Sequence, residues 1–516
     1  MTPLSSSLSY VVIPTLLIVI IKSLHSLLHR RKERLLPFPP GPSPKFLFGN
    51  ALDFPTEDVP PSYAEWSKKY NSDILHASAL GTHLVVVNSL KIAEDLFERR
   101  AQLYNDRPIT PIGRVIGWEY VTALMPYGAW WRKHRKISHQ LFYSGAADQY
   151  KPIQTQEVHA FLRNMLHKPD EHDKHNKMLS VAIPLLIGFG YKPDSVDDPI
   201  IEIADQTAAV GFKLLLFGGT LINVFPFLRY VPSWVPGAVG KKLAEKCRSM
   251  TREMQRIPVE RAKSDLAKGQ AKSAIMTDFY EKYGTTGFPE EEESILKNIS
   301  WTTYSGASET TISSTGSFLY LMATHPEVQA RAQLELDHVL GSGRRLPDFN
   351  DRGSLPYVEA VYRELLRVYP PLPLALPHAL TEDDIYEGYF LPKGANVLAN
   401  IWAMTHDERL YPDPDVFKPE RFFDRKGKLN EDSRILAYGF GRRVCVGKAV
   451  ASNTMWLLIA SFLACFTIGP AKDSEGNPVE INGEFDMDGA TMYKPFKCSI
   501  MPRSQAIQTL IESTMD

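Results

Sequence analysis

Cysteine is scarce in this chain: four in 516 residues, at 247, 445, 465 and 498, with no CxxC pair. That excludes a disulfide scaffold and points to a reducing compartment, with at most one or two thiols doing chemistry. Excess charge of either sign is also missing, the formal net charge being −1 from 58 Lys+Arg and 59 Asp+Glu. A balance so near zero argues against nucleic acid as a partner, because that function needs a basic surface. Internal repeats and low-complexity tracts are absent as well. What is present, 44% apolar and 23% charged residues, is the mixture of a packed globular protein rather than a disordered or collagen-like one. Length alone allows two to four domains or one unusually large one.

Long uncharged apolar runs are missing everywhere except at the start. Leu8-Ser-Tyr-Val-Val-Ile-Pro-Thr-Leu-Leu-Ile-Val-Ile-Ile21 precedes the first charge, Lys22, and apolar spacing continues to Leu28. About 20 helical residues cross a bilayer core, so 8–28 reads as a transmembrane helix, with Lys22 snorkelling at the exit end. Arg30, Arg31, Lys32 and Arg34 follow and hold that flank in the cytosol. A cleaved signal peptide would carry its charges before the apolar run and a small-residue cleavage site after it. Next, Pro37-Phe-Pro-Pro-Gly-Pro-Ser-Pro44 forbids helix and favours a stiff connector. The expected organisation is a membrane anchor over 1–34, a Pro-rich hinge over 35–44, and one large domain over 45–516, with no second boundary.

Residues 74–88 read as a hairpin around Gly81-Thr82, and 384–400 as short strands with a turn at Pro392-Lys-Gly394. Most of the remainder has helical patterning. The longest helix is expected from Pro289, with acidic residues 290–293 at its N-terminus, to about Thr324, where Pro326 opens the next. At 1.5 Å per residue it would run roughly 50 Å, the width of a large domain. The fold class is therefore mainly α with a minor β part, a single domain built around a long central helix.

Tyr438-Gly-Phe-Gly-Arg-Arg-Val-Cys445-Val-Gly447-Lys448-Ala449 combines glycines that allow a tight path, two arginines just before a cysteine, and a helical run after it. Cationic neighbours and a helix N-terminus favour a thiolate. Taken alone, the same residues also describe a turn with a buried cysteine. The segment resembles the haem-binding loop of the cytochrome P-450 superfamily, Phe-x-x-Gly-x-Arg-x-Cys-x-Gly, through Gly441, Arg443, Cys445 and Gly447. Tyr438 stands where the family has Phe and adds a hydroxyl near the sulfur. The resemblance implies haem (iron protoporphyrin) as cofactor, Cys445 as its axial metal ligand, and Arg443 as a propionate partner.

In the middle of the long helix stands Gly306-Ala-Ser-Glu309-Thr310-Thr311. Gly306 and Thr310 are one turn apart, so the threonine hydroxyl can bond the glycine carbonyl and open the helix locally. On its own this is an ordinary helix softened by Ser and Thr. It resembles the superfamily's (Ala/Gly)-Gly-x-(Asp/Glu)-Thr-Thr motif, with Ala307 in place of the second Gly. Heterolysis of an O–O bond consumes two protons, and Thr310 with Glu309 offers a hydroxyl backed by an acid as the catalytic pair. Trp131 and Arg135, one turn apart, resemble the superfamily's Trp-x-x-x-Arg, which implies propionate binding. His378, after Pro377, occupies the usual place of another propionate contact. The family also implies that Glu364, Arg367 and Arg421 lock the core as scaffold.

These motifs imply a membrane-anchored monooxygenase that oxidises a lipophilic small molecule with O2 and NADPH-derived electrons. Arg132, Lys133, Arg135, Lys136, Arg442 and Lys448 would form a positive docking face, and the implied partner is NADPH-cytochrome P-450 reductase in the same endoplasmic reticulum membrane. Asn105–Trp118 is expected as a loop over substrate. The apolar stretch Phe212–Trp234 is expected either to dip into the bilayer or to form a core helix pair. Tyr104-Asn-Asp-Arg-Pro108, Met125-Pro-Tyr-Gly128 and Arg229-Tyr-Val-Pro-Ser-Trp-Val-Pro-Gly237 are similar to fungal microsomal enzymes of the sterigmatocystin-oxidoreductase-like group. That similarity implies secondary metabolism on a terpenoid or polycyclic aromatic. Two alternatives stand beside this reading: a haem-thiolate isomerase or dehydratase that uses no O2, and a haem-binding sensor or carrier without turnover.

Overall fold

The computed structural model describes residues 36–516, apart from 47, 109, 216–219, 285–286, 431–433, 482, 488 and 516. The expected transmembrane helix over 8–28 lies outside the described residues. The central helix spans Glu290–Thr324, 35 residues, with four glutamates in its first turn. Their charges meet the positive end of the helix dipole. The helix stops at His325, and Pro326 begins the following helix, Pro326–Leu340, where a missing N–H costs nothing.

Along one side the central helix packs against the His172–Phe189 helix, close enough that a Cβ at Gly188 would stand 3.1 Å from Ser300 Cβ. Along another it meets the helices Pro356–Val368 and Lys448–Cys465. Phe318, Leu319 and Met322 join Val361, Tyr362 and Leu365, and Trp456, Phe462 and Leu463, in the largest apolar cluster. Each such side chain contributes about 1.5–3 kcal/mol on full burial. Among the described residues, Lys448–Cys465 is also the one helix long and apolar enough to cross a membrane, and it is mostly buried in this core. An evenly apolar helix of that length is what a core position inside a large domain requires.

Among the described residues the minor β part is one four-stranded sheet and three two-stranded ones. In the first, β1 (Ile74–Ala79) and β2 (Thr82–Val87) form the expected antiparallel hairpin. Its turn is Leu80-Gly81, both at positive φ (50° and 83°), with Thr82 already in β2. Farther along the chain come β3 (His378–Ala379), β4 (Asp384–Tyr386), β5 (Tyr389–Leu391) and β6 (Asn396–Ala399). β6 runs parallel to β2 and antiparallel to β3. Near the C-terminus, β7 (Phe466–Pro470) pairs with β10 (Cys498–Pro502), and β8 (Phe485–Asp486) with β9 (Met492–Tyr493). The Pro-rich segment is docked on this side of the molecule. The Pro40 carbonyl accepts the His76 N–H at 2.9 Å, the Pro37 carbonyl that of Phe390 at 2.8 Å, and the Phe38 ring stacks on His76 at 4.4 Å.

One stretch differs from expectation, and a second falls short of the core helix pair that was one of its two expected forms. Asn105–Trp118 is not all loop, because Pro111–Ile116 is a short helix ended by Gly117 at φ 79°. Ile112 and Ile116, one turn apart, are fully buried there, and that burial outweighs the surrounding Pro and Gly. In the Phe212–Trp234 stretch, Pro199–Leu215 is helical, followed by short helical turns at Leu221–Val224 and Pro226–Tyr230. Leu214 and Ile222 are buried, whereas Phe212, Leu221, Phe227, Tyr230 and Trp234 are exposed.

Candidate functional site

The cysteine loop owes its path to glycine. Gly439 and Gly441 hold φ of 75° and 56°, a region that Cβ-bearing residues avoid. A Cβ on Gly441 would also fall 2.1 Å from the Phe97 carbonyl oxygen. The backbone then turns back so that the Cys445 N–H donates to the Tyr438 carbonyl at 2.9 Å, and the expected helix begins at Lys448. The Cys445 side chain is accessible, yet protein atoms crowd it enough that desolvation pushes its thiol up. The Gly447 N–H and the charges of Arg135 and Lys448 pull the other way. Tyr438 directs its hydroxyl to Tyr362 at 2.8 Å rather than to the sulfur. The departure from Phe is thereby absorbed within the core.

Cations gather beside this loop. Arg443 donates through Nε to the Asn105 carbonyl at 2.8 Å and through Nη2 to the Met125 carbonyl at 2.9 Å. Its guanidinium lies 4.1 Å from the Trp131 ring centroid, a stacked cation–π contact. Arg135 reaches the Val444 carbonyl at 2.8 Å, so Trp131 and Arg135 both touch the cysteine loop or its arginine. His378, in β3, is buried, with Nδ1 2.6 Å from the Tyr104 carbonyl. Burial and the neighbouring Arg107 and Arg443 hold its pKa well below the usual value. The Tyr104 carbonyl requires the proton on Nδ1, so Nε2 donates only when the ring is an imidazolium.

Sequence reasoning missed Arg107. This buried side chain donates to the carbonyls of Ala123, Leu376 and Pro377, and burial followed by repulsion from Arg443 lowers its pKa to about 9. Burial lowers Arg443 likewise, to about 10. The position of Arg107 between Asp106 and Pro108 was the only signal for it in the sequence. Arg443 Nη1 and Asn105 Nδ2 are buried and have no protein partner. Orphaned donors on a cluster of crowded cations fit an acidic ligand, since carboxylates would satisfy both the hydrogen bonds and the charge.

On the central helix, Thr310 Oγ1 donates to the Gly306 carbonyl at 2.8 Å and lies 3.4 Å from that of Ala307. Ser305, Ser308 and Ser314 make the same backward bond to Trp301, Tyr304 and Thr310. The helix nevertheless stays α-helical through all of them, so the expected local opening is not formed. Ser305 and Gly306 are exposed in the middle of a helix that is otherwise largely covered. Glu309 is half-buried, and burial, then the nearby Asp205 charge, pushes its carboxyl up. Packing ties the three elements together. Asn298 Nδ2 lies 3.1 Å from His134 of the Trp131 helix, Lys133 pairs with Glu291, and Thr315 Oγ1 lies 3.7 Å from Met455 Sδ, on the helix that follows the cysteine loop.

The scaffold cluster forms as expected. Glu364 is fully buried and accepts Arg367 Nε at 2.7 Å and Nη2 at 2.8 Å, Arg421 Nε at 2.8 Å, and the Lys418 N–H at 2.8 Å.

An accessible thiol beside donors suited to carboxylates is compatible with a haem-thiolate site. The family model for cytochrome P450 matches residues 39–492, and the chain belongs to that family. It is 38% identical over 497 residues to cytochrome P450 monooxygenase 98 of Postia placenta, covering 94% of each chain. It is 35% identical over 486 residues to cytochrome P450 monooxygenase COX2 of Coprinopsis cinerea, covering 93% of this chain and 92% of the other. With cytochrome P450 monooxygenase claR of Ampulloclitocybe clavipes the identity is 36% over 484 residues, covering 93% and 89%. The protein is thus a monooxygenase that incorporates oxygen, with haem-thiolate iron as its cofactor. Enzymes of this family take electrons from a redox partner and act on a small molecule.

Proposed function

We propose that this chain is a membrane-anchored monooxygenase of the endoplasmic reticulum that hydroxylates a lipophilic small molecule in fungal secondary metabolism, a terpenoid or polycyclic aromatic. Residues 8–28 would anchor it in single-pass form, with 45–516 in the cytosol and 35–44 as the strap between. The exposed Phe46, Leu52, Phe227, Tyr230 and Trp234 support contact with lipid on the same domain. Cys445 is assigned as the metal ligand, because the loop fixed by Gly439 and Gly441 presents one accessible sulfur. Arg443, Trp131, Arg135 and His378, joined by Arg107, are assigned to the propionates, and a carboxylate near His378 would stabilise its imidazolium. Haem, when bound, supplies the oxygen and electron chemistry. Glu309 serves as the proton source, its carboxyl raised above the ordinary carboxylate value by burial and by Asp205, and Thr310 passes the proton on from Oγ1 while the Gly306 carbonyl fixes its rotamer.

NADPH-cytochrome P-450 reductase is the proposed donor. Arg132, Lys133, Lys136, Arg442 and Lys448 are exposed, and Arg132 and Arg442 meet on Tyr127, the one over its ring at 5.6 Å, the other bonded to its hydroxyl at 2.9 Å. That continuity supports a basic face spanning the Trp131 helix and the cysteine loop, suited to an acidic partner.

The single observation that carries this reading is the glycine-fixed Cys445 loop beside orphaned Arg443 and Asn105 donors. The test is Cys445→Ser in microsomes with the reductase. Loss of the strongly red-shifted ferrous carbonyl Soret band and of substrate-stimulated NADPH consumption is expected, and retention of both would overturn the assignment. Wild-type protein that consumes no NADPH with any lipophilic substrate would favour a sensor or carrier. Product formation without NADPH would favour an isomerase or dehydratase.

A further inference from the structure

Away from the cysteine loop, packed helices leave a cavity of about 480 Å3 between them, within the ~300–1,000 Å3 span of small-molecule sites. Leu141 reaches it from the helix Ala129–Phe142, Ile153 from Lys151–His167, Phe279 from Ile275–Tyr283 and Leu296 from the second turn of the central helix. At 1.5 Å per residue, Thr310 stands about 21 Å beyond Leu296 along that helix, so this cavity is separate from the oxygen-activating motif. Two polar groups in its wall lack a counterpart. Tyr150 is only 7% exposed and packs its ring on Phe142 at 5.8 Å, yet its hydroxyl has no hydrogen-bond partner among the described residues. A buried phenol ordinarily finds one. Asp278 accepts Ser273 Oγ at 3.1 Å and the Ala274 N–H at 3.2 Å, but among the described residues no cation pairs with its charge. Lys282, one turn on, lies instead over the Tyr283 ring at 4.5 Å, near Glu292, which already accepts the Tyr283 hydroxyl at 3.3 Å.

We propose that this cavity is a peripheral binding site for a lipophilic amine, with the protonated nitrogen between the Asp278 carboxylate and the Tyr150 hydroxyl oxygen and the ring body on Ile153, Ile187 and Leu296. An ammonium group carries several N–H donors and no acceptor, so one nitrogen satisfies the unpaired carboxylate and the unpaired phenol together. The bond to the carboxylate is charge-assisted. Burial, and then the Asp278 charge, push the Tyr150 phenol up to about 12, so it enters the site as a neutral hydroxyl within the field of that carboxylate. An anionic ligand would meet Asp278 and Glu292 with only Lys282 in its favour. A neutral hydrocarbon would cover both polar groups and pair neither, which costs free energy. The apolar wall supplies affinity for the body of the ligand, and the two polar groups select its charge.

The probe is aminomethyl-benzophenone, an amine on a two-ring body that inserts into nearby C–H bonds under near-ultraviolet light. It is added to the holoenzyme in membranes, and adducts are mapped by peptide mass spectrometry. Saturable labelling within 141–153 and 273–296 is expected. Asp278→Asn should raise the half-saturating concentration roughly threefold or more, and Tyr150→Phe, which keeps the ring, roughly threefold. Methylbenzophenone, the same body without the amine, should label these peptides no more than the rest of the surface. The ferrous carbonyl spectrum checks that each variant is folded. If the Asp278 variant loses it, because the bonds to Ser273 and Ala274 are disturbed, the Tyr150 variant decides. Wild-type labelling confined to other peptides, or half-saturation unchanged in the deciding variant, would overturn the proposal.

Discussion

Replacing Glu364 by Ala removes one carboxylate from the centre of a buried cluster and leaves two guanidiniums behind. Side-chain exposure is 0% for Glu364, 3% for Arg367 and 8% for Arg421, so little solvent reaches the stranded charges. Arg367 retains the Thr405 and Val416 carbonyls, and Arg421 those of Pro412, Asp413 and Val416. Their N–H groups are thus partly satisfied, and the loss is mainly that of charge compensation. Breaking a buried pair on one side costs about 3–5 kcal/mol, or roughly a hundred- to several-thousandfold in the unfolding equilibrium. Glu364→Gln keeps an acceptor for the Lys418 N–H and one arginine, so it should fall between wild type and Ala. Urea unfolding followed by the ferrous carbonyl signal reads the effect, with the midpoint order wild type, Gln, Ala. A loss under about 1 kcal/mol for Ala, the range of exposed pairs, would refute the view that this cluster holds the core together.

Gly441→Ala should lower haem content per chain far more than Gly439→Ala. Both substitutions strain a positive-φ backbone by roughly 1–3 kcal/mol, but only position 441 also meets the Phe97 carbonyl, while nothing lies within 4 Å of a Cβ at 439. The ferrous carbonyl absorbance per mole of protein is the measurement, and equal losses would contradict it. Thr310→Ala should cut product formed per NADPH by about tenfold or more, whereas Thr310→Ser, which keeps the bond to Gly306, should largely restore it. Product analysis beside NADPH consumption decides, and an unchanged ratio in the alanine variant would remove Thr310 from proton delivery. His406, stacked on Trp402 at 4.3 Å, is lowered by burial to about 4. Below the usual imidazole value near 6.5 the unfolded chain takes up a proton that the folded one refuses, so stability falls as pH drops from 6.5 to 4. The loss is on the order of 3 kcal/mol. His406→Gln should flatten the urea midpoint over that window, and parallel curves would argue against it.

The central helix was legible because its punctuation is local, Pro289 and four glutamates at one end and Pro326 beyond the other. The same holds for the cysteine loop, whose glycines and arginines lie within ten residues. The Thr310 bond to Gly306 followed from helical spacing alone. Arg107 was hidden because its partners, the carbonyls of Leu376 and Pro377, lie some 270 positions away and no residue type announces a carbonyl. The Pro111–Ile116 helix was masked by Pro and Gly, and the burial of Ile112 and Ile116 that decides it comes from distant elements. Tyr438 could be recognised as a departure, but its hydroxyl partner, Tyr362, could be found only through tertiary packing.

The parallel contact of Leu84–Val87 with Asn396–Ala399 sets a timetable for biosynthesis. At ~5–20 residues per second a ribosome needs roughly 15–60 s to deliver the second segment after the first. For that interval the early hairpin waits with one border unmated, a template for stray pairing. A pause engineered between codons 90 and 390 should lengthen the wait and lower the yield of pigmented protein.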